Sequence, residues 1–309
     1  MNYRESERNK VVAFREDFFR DPGGGEYKNI PRPFVLKHQD KNLWHKIRKE
    51  AIEYFKENKI VWWPGSDKPT GHLLSSQVAC VNHLFILRHD KEASLKILKN
   101  INAEFVEVYP DFEGGFIGFE VVSKNSYLNE GDSKTRGANC TSVDAMMTGK
   151  LSNGDKIQVF IEWKYTEYYS NSDKSVGSSG KTRKQRYDSL IKSKDSPIKP
   201  TVSIANFYYE PFYQLMRQTL LAWQMTKNKN NELNANDWIH LDIIPENNLA
   251  LRYKVTAPDL IQTGIEEAWK SQLNEPEKYN IITPQKLLKP IIFDPKYRGL
   301  VNYLNRRYW

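Results

Sequence analysis

The sequence predicts an α/β (α+β) fold, in which the strands of a central sheet pack against helices. The clearest strand pattern lies at residues 156–165, where apolar and polar side chains alternate as in a half-buried strand. Segments with apolar residues at helical spacing lie before it, at 71–89, and after it, from Pro211 onward. Helices and strands therefore follow one another along the chain of 309 residues.

The elements before this strand are predicted from the same periodicities. Residues 71–89 are predicted to form a helix, residues 116–122 a first strand, and residues 141–147 a second strand. The helix prediction rests on six apolar residues at helical spacing: Leu73, Leu74, Val78, Val81, Phe85 and Ile86.

A hairpin is predicted between the strands at 141–147 and 156–165, because Gly, Ser, Asn and Asp residues fill the link. A strict two-residue turn at Asn153-Gly154 would place Asp144 opposite Trp163. A three-residue loop or a bulge would place Asp144 beside Glu162 instead. The catalytic interpretation below requires one of these two devices.

A second core helix and a last strand are predicted after the hairpin. Glu210-Pro211 is typical of a helix start, since Pro is favoured in the first helical turn. Residues 238–244 read as a strand. The apolar stripe of the helix consists of Phe212, Leu215, Met216, Thr219, Leu220 and Trp223.

Asp144, Glu162 and Lys164 are predicted to form a metal-dependent nuclease centre. Glu162 and Lys164 point to the same side of their strand because they are two residues apart. Two close carboxylates repel each other, which suits a hard cation such as Mg²⁺ better than a purely structural role. We expect Asp144, Glu162 and the carbonyl of Trp163 to be the ligands, with Lys164 orienting the attacking water or stabilising the transition state.

A solvated strand face with an ion pair is the alternative interpretation of these residues. The same Glu-x-Lys triplet occurs at 26–28 and 57–59, where it has no such context. The context of Glu162 differs: an Asp lies on the preceding strand, the strand is largely apolar, and a basic segment follows directly.

The segments 142–144 (Ser-Val-Asp) and 161–167 (Ile-Glu-Trp-Lys-Tyr-Thr-Glu) resemble the PD-(D/E)XK nuclease superfamily, in particular a restriction-endonuclease-like bacterial group. The resemblance implies that Asp144 and Glu162 bind the metal and that Lys164 serves the attacking water. Val143 stands where many members have Pro. The implied core has the order αβββαβ, matched here over residues 71–245, with a mixed four- to five-stranded sheet flanked by helices and decorated at both termini.

Two further sites follow from this resemblance. Glu120, near the end of the first strand, is a candidate third acidic metal ligand, and its alternative is a solvated strand carboxylate. The polar side of the second core helix carries Gln214, Arg217 and Gln218. In relatives this helix packs close to the site, so Gln218 is a candidate catalytic residue and Arg217 a candidate phosphate contact. Any amphipathic helix has a polar side, which is the simpler explanation.

The charge of the chain favours a polyanionic partner. Its formal net charge is +8 and its isoelectric point is near 9.1. Residues 171–200 carry eight basic and three acidic residues, a net +5, and read as a mobile loop followed by a short basic helix. A solvated basic loop is the alternative. The predicted nucleic-acid contacts are Lys174, Lys181, Arg183, Lys184, Arg186 and Arg217.

Domain organisation and location follow from length and absences. We expect one domain over 1–309, with N-terminal helical decoration at 1–70, a nuclease-like core at 71–245 and a C-terminal extension at 246–309, helical and then loop-like. Stretches of about 20 apolar residues and a signal core are absent, so we expect a cytoplasmic protein. The two cysteines form neither a disulfide framework nor a zinc ligand set. Phosphate-loop and Gly-x-Ser-x-Gly motifs are also missing.

The sequence therefore predicts an endonuclease that requires Mg²⁺, with Mn²⁺ as a substitute, and hydrolyses double-stranded DNA. Restriction or anti-phage defence is what the resemblance implies. A homodimer would allow both strands to be cut. A non-catalytic nucleic-acid-binding protein with a nuclease-like fold is the alternative, as is a repair or RNA nuclease with the same three residues.

Overall fold

A mixed sheet of six strands forms the centre of the molecule. The computed structural model describes residues 2–131, 135–136 and 140–309. Within these residues β1 and β2 form a separate hairpin, and β3 to β8 form the sheet. The strands are β1 (Gly25–Tyr27), β2 (Ile30–Arg32), β3 (Phe105–Tyr109), β4 (Gly118–Val121), β5 (Val143–Leu151), β6 (Lys156–Trp163), β7 (Asp237–Ile243) and β8 (Tyr279–Ile282).

Helices cover the sheet on both faces, which confirms the predicted α/β class. No helix in the described part of the chain is long and apolar enough to span a membrane. The α-helices are α1 (Tyr3–Phe19), α2 (Arg48–Glu57), α3 (Ser76–Leu84), α4 (Lys91–Ile101), α5 (Gly177–Ile191), α6 (Phe212–Lys227), α7 (Leu249–Tyr253), α8 (Ile265–Lys270), α9 (Pro284–Leu288) and α10 (Arg298–Arg307).

The strand order is β3-β5-β6-β7-β8, and β4 pairs with β5 beyond the end of β3. Pairs on the β5 side are antiparallel, whereas β6–β7 and β7–β8 are parallel. The sheet has six strands rather than the predicted four to five, because β3 and β8 extend it on its two sides. The prediction of a helical and then loop-like C-terminal tail is wrong at β8, which lies in that tail and pairs with β7.

The register of the β5–β6 hairpin confirms the predicted three-residue loop. Ala145 lies opposite Ile161, so Asp144 and Glu162 are the next facing positions. The Leu151 N–H donates to the Asp155 carbonyl oxygen at 2.8 Å, which leaves residues 152–154 as the loop. Gly154 has φ +98°, a left-handed conformation that favours glycine.

Both faces of β6 are buried, so the expectation of a half-buried strand is wrong. Ile157, Val159 and Ile161 pack into one core with α3 and α4, whereas Phe160 packs into a second core with α6. Polar residues on the α6 face, including Glu162, are consequently buried as well. The alternation in the sequence therefore separates an apolar face of the strand from a polar face, and helices cover both of them.

The flanking elements agree with the predictions in part. The helix expected over 71–89 is the shorter α3, whose Ser75 cap accepts the Val78 N–H, followed by a 3-10 turn at Phe85–Leu87. The basic segment forms α5, a helix of 15 residues. The N-terminal region holds the β1–β2 hairpin besides its helices.

Candidate active site

Four carboxylates occupy adjacent positions on four neighbouring strands at one end of the sheet. The β4–β5 register continues on both sides of Glu120 and Asp144, so these residues face each other. The hairpin places Asp144 opposite Glu162, and the parallel pairing of β6 with β7 places Asp242 beside Glu162. We call Glu120, Asp144, Glu162 and Asp242 the acidic row.

Glu162 is held by donors from its own strand end and from α6. The Lys164 ammonium donates to Glu162 Oε1 at 2.7 Å, and Gln214 Nε2 donates to the same oxygen at 2.7 Å. Gln218 Nε2 donates to Glu162 Oε2 and, at 3.2 Å, to the Ser142 carbonyl. Lys164 also donates to Gln214 Oε1. The carboxylate and the ammonium are therefore fixed in orientation relative to each other.

Asp144 and Glu120 are fixed from other directions. The Trp163 N–H donates to Asp144 Oδ2 at 2.7 Å, which ties Asp144 to the backbone next to Glu162. Gln77 Nε2 of α3 donates to Glu120 Oε1 at 2.7 Å, and the Ser142 hydroxyl donates to Glu120 Oε2 at 3.1 Å. Glu120 has φ +47°, which is rare for a residue with a side chain and occurs preferentially at functional sites.

Burial and mutual repulsion disfavour negative charge in the acidic row. Burial, reinforced by Glu162 and Glu120, raises the pKa of Asp144 well above its usual value. Burial is also the main cause that raises the pKa of Glu120 to about 7 and the pKa of Asp242 to about 7. Burial alone would lower the pKa of Lys164, but the nearby acids, first Glu162, raise it above its usual value. Lys164 is therefore a charged ammonium.

A cleft of about 490 Å³ opens onto this end of the sheet. Asp144 and Gln214, both half-buried, line the cleft together with Glu120. Glu162 and Lys164 are each only 5% exposed and lie beneath that lining. A substrate in the cleft therefore meets Asp144 first.

The donor set fits a hard divalent cation. Carboxylate oxygens are the ligands that Mg²⁺ prefers, and a cation would relieve the repulsion between Asp144 and Glu162. As the side chains stand, no group of three or more Asp, Glu, His or Cys in the described residues is arranged to hold a metal. The reason is visible at Glu120 and Glu162, whose oxygens accept hydrogen bonds from protein donors.

The structure brings most of the predicted catalytic residues together. Hydrogen bonds join Lys164 and Gln218 to Glu162, and Asp144 lies beside them, where it accepts the backbone N–H of Trp163. Glu120 lies in the same row. It is buried, so the solvated-carboxylate alternative is wrong.

Arg217 lies on the same helix but has other contacts. Its Nε donates to the Thr141 hydroxyl at 2.9 Å, and its guanidinium lies 3.5 Å from Glu130. It also lies over the Tyr213 ring, 5.2 Å from the centroid. These contacts account for Arg217 as a packing residue, and a phosphate contact stays a prediction.

The predicted nucleic-acid contacts lie on and before α5. Lys181 and Lys184 are exposed, whereas Arg183 is half-buried and donates to the Lys174 carbonyl at 2.8 Å. The helix starts tightly, because a side chain at Gly180 would lie 2.1 Å from the Ser175 backbone. The exposed side of α5 carries the positive charges of Lys181 and Lys184.

Sequence reasoning missed Asp242 and Gln77, and it named Gln214 only as part of the polar side of its helix. Asp242 was read only as part of a strand, although its place in the alternation with His240 put it on the polar side. Gln77 and Gln214 hold Glu120 and Glu162, and their polar positions on helices were the available signal. Distances between separate helices and strands are not readable from one sequence.

Comparison with known proteins identifies a family for this chain. A family model matches residues 11–309, which is nearly the whole chain. No curated protein and no solved structure gives a significant match. The family model is that of a restriction endonuclease, which implies nuclease activity and a DNA substrate. The chain therefore belongs to the restriction-endonuclease-like family described as restriction endonuclease associating with ARP.

Proposed function

We propose that the acidic row is the centre of a Mg²⁺-dependent endonuclease of the PD-(D/E)XK superfamily, which hydrolyses phosphodiester bonds of double-stranded DNA. One observation carries the proposal. Asp144 lines an open cleft and faces Glu162, which lies beneath the lining with the Lys164 ammonium 2.7 Å away.

Asp144, Glu162 and the Trp163 carbonyl would hold the metal, with Glu120 close enough in the row to join them. Bound there, Mg²⁺ would neutralise charge on the phosphate and lower the pKa of a water, and Mn²⁺ would substitute for it. Glu162 Oε2 accepts a hydrogen bond from Gln218, and because a carboxylate oxygen has two lone pairs, it could bind the metal while Gln218 stays in place.

The chain's own residues position and polarise the reacting groups. The Lys164 ammonium, oriented by Glu162 and Gln214, would orient the attacking water and stabilise the charge that develops on the phosphate. Gln218 fixes the Glu162 carboxylate from the other side. Attack in line with the leaving oxygen would leave a 5′-phosphate.

The charge on α5 supports DNA as the substrate. The exposed lysines of α5 supply positive charge that can contact the phosphate backbone and release counterions. The family description supports a role in restriction or anti-phage defence, which would take place in the cytoplasm. Cleavage of both strands would require a symmetric dimer or two successive cuts.

The test is cleavage of supercoiled plasmid in Mg²⁺, Mn²⁺ or EDTA. Glu162→Gln removes the proposed ligand, and Glu57→Gln makes the same change at an exposed Glu-x-Lys triplet. We expect nicking or linearisation that requires metal, is lost in Glu162→Gln and persists in Glu57→Gln. Equal cleavage by both variants would show that the activity arises elsewhere.

A non-catalytic nucleic-acid-binding protein is the second candidate. It is favoured by the hydrogen bonds that occupy Glu162 and Glu120, because those carboxylates are satisfied without a metal. DNA retained in a gel-shift assay without cleavage in any metal would support it. The same assay on RNA separates an RNA nuclease from both.

A further inference from the structure

The wall of the cleft above the acidic row is aromatic. Tyr27, at the end of β1, and Trp63 line it together with His72 and Leu74. The ring centroids of Tyr27 and Trp63 are 5.8 Å apart, and each lies within 5.5 Å of the His72 ring. None of these residues belongs to the nuclease-like motif, and Trp63 is 38% exposed.

Trp63 supplies exposed ring surface to the cleft, whereas Lys28 Nζ lies over the Tyr27 ring, 5.6 Å from its centroid. Tyr27 and Trp63 meet His72 in edge contacts, with interplanar angles of 68° and 85°. An edge contact covers less of a ring face than a stacked one. The two rings therefore back onto His72 and retain surface on which a flat group can stack.

The four residues of this wall carry no charge, although Arg4, an exposed cation, also lines the cleft close to His72. His72 is buried, and burial lowers its pKa to about 4, so its ring is neutral at neutral pH. Its Nδ1 accepts the Leu74 N–H at 3.2 Å, which fixes the ring. An anion would meet the acidic row below, whereas an aromatic base needs only an apolar face. The rings of the wall thus fit a nucleobase, whereas Arg4 beside them fits the phosphate of the same strand.

One side chain connects this wall to the acidic row. The backbone N–H of Trp63 donates to Gln77 Oε1 at 2.8 Å, and Gln77 Nε2 donates to Glu120 Oε1 at 2.7 Å. Gln77 thus bridges Trp63 and Glu120 and fixes their relative position. A base stacked on Trp63 would belong to a nucleotide at or next to the phosphate above Asp144.

We propose that Tyr27 and Trp63 bind one unstacked nucleobase of the substrate strand beside the phosphate to be cut. The proposal rests on the proposed nuclease function for the position of that phosphate. Bases inside a duplex are covered on both faces, so a base must be extruded or already unpaired to reach Trp63. The wall would then select substrates whose base leaves the helix easily.

Binding without catalysis tests the proposal. Anisotropy would measure the affinity for a labelled single-stranded oligonucleotide in EDTA, and for the same oligonucleotide with an abasic centre and all its phosphates. We expect the native chain to prefer the intact oligonucleotide by about 5- to 100-fold, the range expected for stacking of one base. Trp63→Ala should lose that preference and bind the abasic oligonucleotide like the native chain.

Three variants control the measurement. Trp63→Phe should keep most of the preference, and Phe293→Ala, which removes a ring that is 92% exposed, should keep all of it. Trp63→Leu carries the same test if Trp63→Ala does not fold. An equal loss of affinity for both oligonucleotides in the Trp63 variants, or no preference in the native chain, would overturn the proposal. Because EDTA prevents cleavage, an absence of nuclease activity leaves this result interpretable.

Discussion

Two rows of residues cross the same three strands only three positions apart, and their chemistry is opposite. Met147, Val159 and Ile239 pair across β5, β6 and β7 in an apolar row. At one end of these strands, Asp144 and Glu162 of the acidic row face each other in the same register. Burial of the apolar row stabilises the fold, whereas burial of the carboxylates costs free energy unless they are protonated or bind a cation.

The comparison teaches where stability and reactivity lie in this sheet. The apolar row is stabilised by contact with neighbouring apolar side chains. It therefore contributes to the free energy of unfolding without a bound ion. The carboxyl groups of the acidic row are not all balanced by a bonded cation. Lys164 bonds to Glu162, whereas burial raises the pKa of Asp144 and of Glu120. A site with excess buried carboxylate is prepared for a metal ion.

Loss of the lysine is expected to have the largest effect on activity. Lys164→Met keeps the side-chain stem and removes the ammonium that would act on the water and the phosphate. Cleavage should fall about 10²- to 10⁴-fold, the range for a positioned acid–base group. Single-turnover cleavage rates in Mg²⁺ measure it, and Lys59→Met is the matched control. Loss of less than a factor of ten would remove Lys164 from the mechanism.

The apolar row should show the reverse pattern. Met147 is 1% exposed, and Met147→Ala should cost about 2–5 kcal/mol in free energy of unfolding. Urea titration measures this cost, with the slope unchanged from that of the native chain. Cleavage by the folded variant, assayed well below its unfolding temperature, should equal that of the native chain. A large loss of cleavage there would mean that the two rows are not separable.

Gln218 tests how strongly the acidic row depends on its support. Gln218→Leu leaves Glu162 without one donor, and metal affinity or cleavage should fall about 10- to 100-fold. Calorimetric titration with Mg²⁺ separates the two effects. Gln224→Leu, a change of the same type on α6, should leave both quantities as in the native chain.

The exposed lysines of α5 should have the smallest effect. Replacing Lys181 and Lys184 together by Gln removes two charges, so the slope of log affinity against log salt should fall by about 2. DNA binding measured at several salt concentrations gives the slope. Replacing Lys56 and Lys59 in the same way should leave it unchanged. Equal slopes for the two double variants would place the DNA elsewhere.

The sequence predicts the β5–β6 hairpin well because the interactions there are local. Alternation in β6 and the Gly and Asn residues of the loop fix which residues face each other, and these are adjacent in the chain. Glu162 and Lys164 follow from that pattern together with Asp144. The prediction that β6 is half-buried failed because covering helices are distant in sequence.

The features that the sequence does not predict depend on contacts between residues far apart in the chain. β8 has only four residues, Tyr279–Ile282, and becomes a strand because β7 offers its edge. Asp242 joins the acidic row only through the parallel pairing of β7 with β6. Trp63 reaches the cleft through Gln77, 14 residues further along the chain. None of these contacts leaves a periodic signal in the sequence.

The most direct test of this account is thermal unfolding of the native chain and Asp144→Asn, with and without Mg²⁺. Without metal at pH 8, Asp144→Asn should unfold at least about 2 °C higher, because folding of the native chain at that pH must either bury a charged carboxylate or take up a proton. The folded pKa of Asp144 is raised, so this advantage should shrink as the pH falls and vanish below about 3, where the carboxyl is protonated in both the folded and the unfolded state.

Mg²⁺ should reverse the order. The native chain should gain stability with rising Mg²⁺ concentration, as a ligand of the folded state requires, while Asp144→Asn gains little. Equal unfolding temperatures for the two proteins at pH 8, with no response to Mg²⁺, would contradict the claim that this end of the sheet is a metal site.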